Sequence, residues 1–190
     1  MIISLEGIVL TYKEHFTERL VAYKKWTPLK NSRIVCCPPV PLELTGNTFR
    51  RWMYTVTRST ELWREATTDK SESITIFENS PFSVTSYVQV LSELFGDIGQ
   101  KEYELIVEII AGLSELMIPP DIIVLFEPDI SDINELQQPF LLNMHQLLVE
   151  WAENHTAKVV YIPSYQEEGD WELWYNQALQ KVLDTIEVTA

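Results

Sequence analysis

Residues 1–20 read MIISLEGIVLTYKEHFTERL. Ile2 to Leu5 form a short apolar strand, Glu6-Gly7 break it, and an amphipathic helix begins near Lys13. Ile8, Val9, Leu10, Thr11 and Tyr12 join the two. A nucleotide-binding protein holds phosphate at such a strand-to-helix link, so the reading of residues 7–14 decides what the rest of the chain means.

Working outward, Arg33–Cys36, Ile74–Phe77, Ile122–Phe126 and Lys158–Ile162 are further apolar, β-branched segments. They are continuous apolar runs, not alternating ones, as suits a parallel sheet covered on both faces. Helical patterns over 13–25, 47–66, 82–95, 100–117 and 140–153, with one C-terminal helix, lie between or after them. The segment 100–117 carries Tyr103, Ile106, Ile109, Ile110, Leu113, Leu116 and Met117 at a 3.6-residue period, and Pro119-Pro120 stop it. The last helix carries Trp171, Trp174, Tyr175, Leu179, Val182 and Ile186, with Asp170 as its N-cap. This alternation predicts a single α/β domain over 1–190, a three-layer sandwich with right-handed crossovers.

Composition is that of an ordinary globular chain, 46% hydrophobic and 22% charged. No apolar run approaches the ~20 residues that cross a bilayer. No basic segment leads into a small-residue cleavage site, so an intracellular, cytoplasmic location is expected. The net charge of −14 argues against nucleic-acid and anionic-membrane partners, which require clustered Lys and Arg. Cys36-Cys37 lack metal or redox spacing and read as buried thiols on a strand. His145 and His155 have no ligand partner at metal spacing, so no metal site is expected. The tryptophans lie on helical stripes and read as core or subunit-interface packing.

A phosphate loop of the form G-x-x-x-x-G-K-[ST] converges backbone N–H groups on phosphate, with the lysine bridging and the hydroxyl holding Mg²⁺. With Gly7 as the first glycine, Tyr12 takes the second position, Lys13 the lysine and Glu14 the hydroxyl. On spacing alone, a plain strand, turn and helix accounts for this match better.

Four segments in order change that reading: SLEGIVLTYKEHFTERL, ITIFENSPFSVTSYVQVL, PPDIIVLFEPDISDINEL and FLLNMHQLLVEWAENHTAKVVYIP. Together they resemble the deoxyribonucleoside kinases of the thymidine-kinase-like, P-loop type, over most of the chain and in the right order. The corresponding family patterns are S-I-E-G-N-I-G-S-G-K-S-T, I-L-E-R-S, P-D-L-I-I-Y-L and Y-L-x-x-L-H-x-x-H-E-x-W. The resemblance implies a five-stranded parallel sheet in the order 2-3-1-4-5. It also implies a homodimer through helices corresponding to 82–95 or 100–117 and a late helix.

Carried over residue by residue, the framework matches and the chemistry does not. Ser4, Glu6, Gly7 and Lys13 match the phosphate loop, while Leu10 and Tyr12 replace inner glycines and Glu14 replaces the Mg²⁺-binding hydroxyl. Side chains at former glycines restrict positive φ and fill phosphate space. Cys37 or Pro38 stands where the family has its base, and Glu43 is the nearest acid. In the family's E-R-S, Glu78 and Ser80 match and the arginine is Asn79. The arginine-rich lid is replaced by DISDINELQQPF, which has no Lys or Arg.

The resemblance therefore implies a catalytically inactive relative, a pseudokinase acting through protein contacts or as a structural module, with no cofactor. Whether it is an enzyme stays open, with the losses weighing against. One alternative is residual nucleoside or nucleotide binding in a cleft bounded by Glu43, Arg50, Arg51, Tyr54, Glu78 and Asn79. Another is a divergent deoxynucleoside kinase using ATP and Mg²⁺ at a site rebuilt around Lys13 and Lys24-Lys25. Divergent copies of such kinases occur in large DNA viruses, which makes a viral origin, in host cytoplasm or nucleus, a further expectation.

Overall fold

The computed structural model describes residues 1–7, 13–22, 32–36, 40–44, 46–68, 74–83, 90, 98–115, 117–130, 133–135, 137–165 and 169–189, with backbone alone for 14, 21, 22 and 114. The strands are β1 (Ile2–Glu6), β2 (Arg33–Cys36), β3 (Thr75–Glu78), β4 (Ile122–Phe126) and β5 (Lys158–Ile162). They form one parallel sheet in the order β2-β3-β1-β4-β5, the order expected. The helices are α1 (Lys13–Ala22), α2 (Thr48–Thr68), α3 (Gln100–Ser114), α4 (Gln138–Glu153) and α5 (Trp171–Thr189), with a 3₁₀ turn at Leu42–Leu44.

The period-2 alternation of the strands divides the core between two faces. Ile3, Leu5, Ile122, Val124 and Phe126 pack under α1 and α5, against Phe16, Leu20, Tyr175 and Val182. The rings of Phe16, Phe126 and Tyr175 close this layer, with centroids 5.2 Å and 5.4 Å from Phe16. On the opposite face, Leu125 meets α4 through Met144 and Leu148, while Val35 and Phe77 meet Trp63 of α2. Each of these fully buried large side chains contributes about 1.5–3 kcal/mol. The result is the three-layer α/β sandwich.

Local signals place the helix starts. Asn47 Oδ1 accepts the Arg50 N–H at 2.8 Å ahead of α2. Asp170 Oδ1 accepts the Glu172 and Leu173 N–H groups at 2.9 and 3.2 Å, as its reading as an N-cap requires.

Three expectations need correction or delimiting. Cys36 is exposed, because β2 is the edge strand and the residue ends it; Cys37 lies outside the described residues. The helix over 100–117 ends at Ser114: the chain turns towards Trp63, whose Nε1 donates to Ile118 O at 2.9 Å. Its apolar stripe is largely engaged within the chain, Ile106 and Ile110 packing on Val56, Trp52 and Met53 of α2. Of the helix expected at 82–95, only Phe82, Ser83 and Val90 are among the described residues. Trp63 is core, and Trp171 and Trp174 stack on each other at 4.9 Å. Among the described residues, no helix is long and apolar enough to cross a membrane.

Candidate functional site

The same alternation that buries Ile3 and Leu5 under α1 turns Ser4 and Glu6 to the other face of β1, where β3 hands over to Asn79 and Ser80. Glu6 is completely buried. Its carboxyl accepts hydrogen bonds from the Ser80 N–H at 3.1 Å and from the hydroxyls of Ser83 and Ser4. Burial pushes the Glu6 pKa above its ordinary range, opposed by hydrogen bonds from Ser4 and Ser80 and by the charge of Lys13.

Lys13 opens α1 and is 4% exposed. Its Nζ donates to Gly7 O at 3.2 Å and to Asn79 Oδ1. Asn79 has a φ of 60°, a left-handed conformation that asparagine adopts more readily than most residues. Its own N–H donates to Leu5 O at 3.1 Å, so the left-handed turn ties the end of β3 to β1. That turn carries the Asn79 amide to the lysine. Beside it, the half-buried Glu78 accepts a hydrogen bond from Cys36 Sγ at 3.2 Å.

An ammonium offers three donors. Two of those of Lys13 are directed at protein acceptors, Gly7 O and Asn79 Oδ1. The Asn79 amide occupies the position at which the resemblance places an arginine.

The structure thus brings together Gly7, Lys13, Glu78 and Asn79, with Glu6, Ser80 and Ser83 beneath them. Tyr12 and the Glu14 side chain lie outside the described residues, as do 8–11 and the second cationic pair, Lys24-Lys25. Glu43 stands exposed in the 3₁₀ turn, which packs against the start of α2. Arg50 is exposed on α2, Tyr54 is half-buried, and the Arg51 guanidinium lies 5.5 Å over the Trp52 ring. At the start of α4, Gln138 Nε2 donates to Ile133 O at 3.1 Å, holding the preceding segment close to the helix. His145 is half-buried, and burial lowers its pKa against the opposing pull of Glu127.

A second feature, at the far side of the sheet beyond β5, left no motif in the sequence. A cavity of about 450 Å³ lies between α1, the exit of β5 and the start of α5, lined by His15, Glu18, Arg19, Tyr165 and Trp171. Tyr165 and Trp171 meet edge to face at 5.1 Å. Arg19 is held by Glu172 at 2.7 Å and lies 4.8 Å over the Tyr175 ring. The available signal was the clustering of aromatics around the Asp170 cap directly after a strand.

No family model matches the chain, and no curated protein matches it in sequence. Solved structures do match it in fold. A deoxyadenosine kinase from M. mycoides with bound dATP aligns with a TM-score of 0.65 at 14% identity, covering 96% of this chain and 99% of that one. The thymidylate kinase of Candida albicans aligns with a TM-score of 0.64 at 13% identity, covering 100% and 93%. The thymidylate kinase of Ehrlichia chaffeensis aligns with a TM-score of 0.61 at 15% identity, covering 96% and 98%. The likeness is one of fold: these nucleoside and nucleotide kinases share the chain's arrangement of sheet and helices.

Proposed function

We propose that this chain is a catalytically inactive nucleoside-kinase-like protein that acts through protein contacts or as a structural module. The observation that carries the reading is the engagement of Lys13 by Gly7 O and Asn79 Oδ1. In a working phosphoryl-transfer site the lysine and an arginine both face the transferring group, and one arginine can be worth ~10³–10⁵ in rate. Here the residue at the arginine position holds the lysine instead. The segment between β4 and α4 offers no replacement cation. A homodimer, an intracellular location in cytoplasm or nucleus, and a viral origin go with this proposal; light scattering tests the first.

The test is a phosphoryl-transfer assay with ATP–Mg²⁺ and each deoxynucleoside and deoxynucleoside monophosphate. The proposal expects no turnover above the protein-free rate. Turnover that Lys13→Ala abolishes would overturn it and favour a divergent kinase.

One observation favours a second reading, nucleoside binding without phosphate chemistry. The cavity is lined by the aromatic side chains of Tyr165 and Trp171, and stacking one base on such a ring is worth about 1–3 kcal/mol. Stabilisation by nucleosides but not by ATP–Mg²⁺, lost in Trp171→Ala, would support it.

A further inference from the structure

Away from the strand-end centre, a second cavity of about 250 Å³ opens between the C-terminal half of α2 and the end of α3. Its walls are unusual for a helix surface. Thr57, Thr60 and Thr67 line it, yet their hydroxyls donate to the carbonyls of Met53, Val56 and Arg64 at 2.8, 2.8 and 3.1 Å. With the hydroxyls engaged by the helix, these residues offer a ligand mainly their methyl groups. Trp63, Leu113 and Met117 supply the remaining apolar lining.

Two charged residues also line the cavity, and they differ in state. Glu61 is paired with Arg58, one turn away at 2.9 Å on the exposed helix surface. Arg64 has no ion-pair partner among the described residues. The cavity therefore combines an apolar body with a guanidinium that is not ion-paired among the described residues and a carboxylate that is. An apolar cavity of ~150 Å³ accepts benzene, so by proportion this one accommodates about ten non-hydrogen atoms.

We propose that this cavity binds a small carboxylate with an apolar body of about one aromatic ring, the body against Leu113, Met117 and the threonine methyls and the carboxylate on Arg64. An amine of the same size would place a cation beside Arg64, and inorganic phosphate would leave the apolar walls unfilled. Guanidinium is suited to carboxylate because it can offer two parallel N–H donors.

The test uses phenylacetate, 2-phenylethanol and phenethylamine as probes, titrated by NMR into the wild-type chain while the methyl resonances of Thr60, Leu113 and Met117 are followed. Phenylacetate is expected to shift these signals saturably. The alcohol should bind about tenfold or more weakly, as befits the loss of a charge-assisted hydrogen bond, and the amine more weakly still. Arg64→Gln, an exposed position, should lower phenylacetate affinity to that of the alcohol. Thr60→Leu, which fills the cavity with a good helix former, should abolish binding. The proposal is overturned if phenylacetate gives no saturable shift, if phenethylamine binds equally well, or if Arg64→Gln leaves phenylacetate affinity unchanged.

Discussion

Replacing Lys13 by methionine keeps the aliphatic stem and removes only the ammonium, so it asks directly what that charge does in the unliganded fold. Lys13 is 4% exposed, which leaves little solvent screening to discount. It donates to Gly7 O and Asn79 Oδ1, and its charge faces the buried Glu6 carboxyl. Hydrogen bonds from a charged donor are worth about 1.5–3 kcal/mol each, so the two of Lys13 together account for about 3–6 kcal/mol before the relief of the desolvated ammonium is subtracted. We expect Lys13→Met to lower unfolding free energy by about 3–5 kcal/mol, or roughly 6–20 °C in Tm for a domain of this size. The assay is urea unfolding followed by far-ultraviolet circular dichroism, with an unchanged m-value as the check on two-state behaviour. A cycle with Asn79→Gly should return a coupling of about 1.5–3 kcal/mol between the two side chains. A lysine poised for an absent phosphate would behave in the opposite way, since residues held for function are commonly replaced without loss of stability. Lys13→Met as stable as the wild type, or a coupling below about 0.5 kcal/mol, would refute the reasoning.

Asn79→Ala should cost about 1 kcal/mol more than Asn79→Gly, because both remove the amide but only alanine resists a φ of 60°; equal denaturation midpoints would contradict this. Burial raises the Glu6 pKa from its ordinary 4.5, so the native state holds this proton more tightly than the unfolded chain. That contribution to stability is complete below pH 4.5 and is lost as pH rises through the raised value, so Glu6→Gln should flatten the fall in stability with pH above 4.5. Parallel curves for the two proteins would count against it. Asp170→Ala removes the acceptor of the Glu172 and Leu173 N–H groups and should cost about 1 kcal/mol, read from the thermal midpoint.

Much of the framework was legible because it rests on burial pattern. The continuous apolar runs of β1, β3 and β4 identify strands covered on both faces, and Asp170 before an apolar stripe identifies a helix start. The strand order required the family resemblance, since apolar runs specify strands and not their neighbours. What stayed hidden depends on position in three dimensions. The exposure of Cys36 follows from β2 lying at the sheet edge, which its own four residues do not reveal. The stripe on α3 reads equally well as a subunit face or an internal one, and only the placement of α2 shows that Ile106 and Ile110 face inward. That Asn79 stands where the resemblance places an arginine was visible. That its amide would reach Lys13, 66 residues away in sequence, depends on a left-handed turn that no periodicity encodes. The aromatic cavity beside Trp171 was missed because those rings also satisfy a packing stripe.

The central claim is that the Lys13 ammonium is held by the protein and not kept for a nucleotide. A thermal shift of the wild-type chain with ATP–Mg²⁺ tests it most directly. Ligand at one hundred times its Kd would add about 2.7 kcal/mol, or roughly 5–11 °C for a domain of this size. The account predicts no shift at millimolar ATP–Mg²⁺; a stabilisation of several degrees that Lys13→Met removes would contradict it.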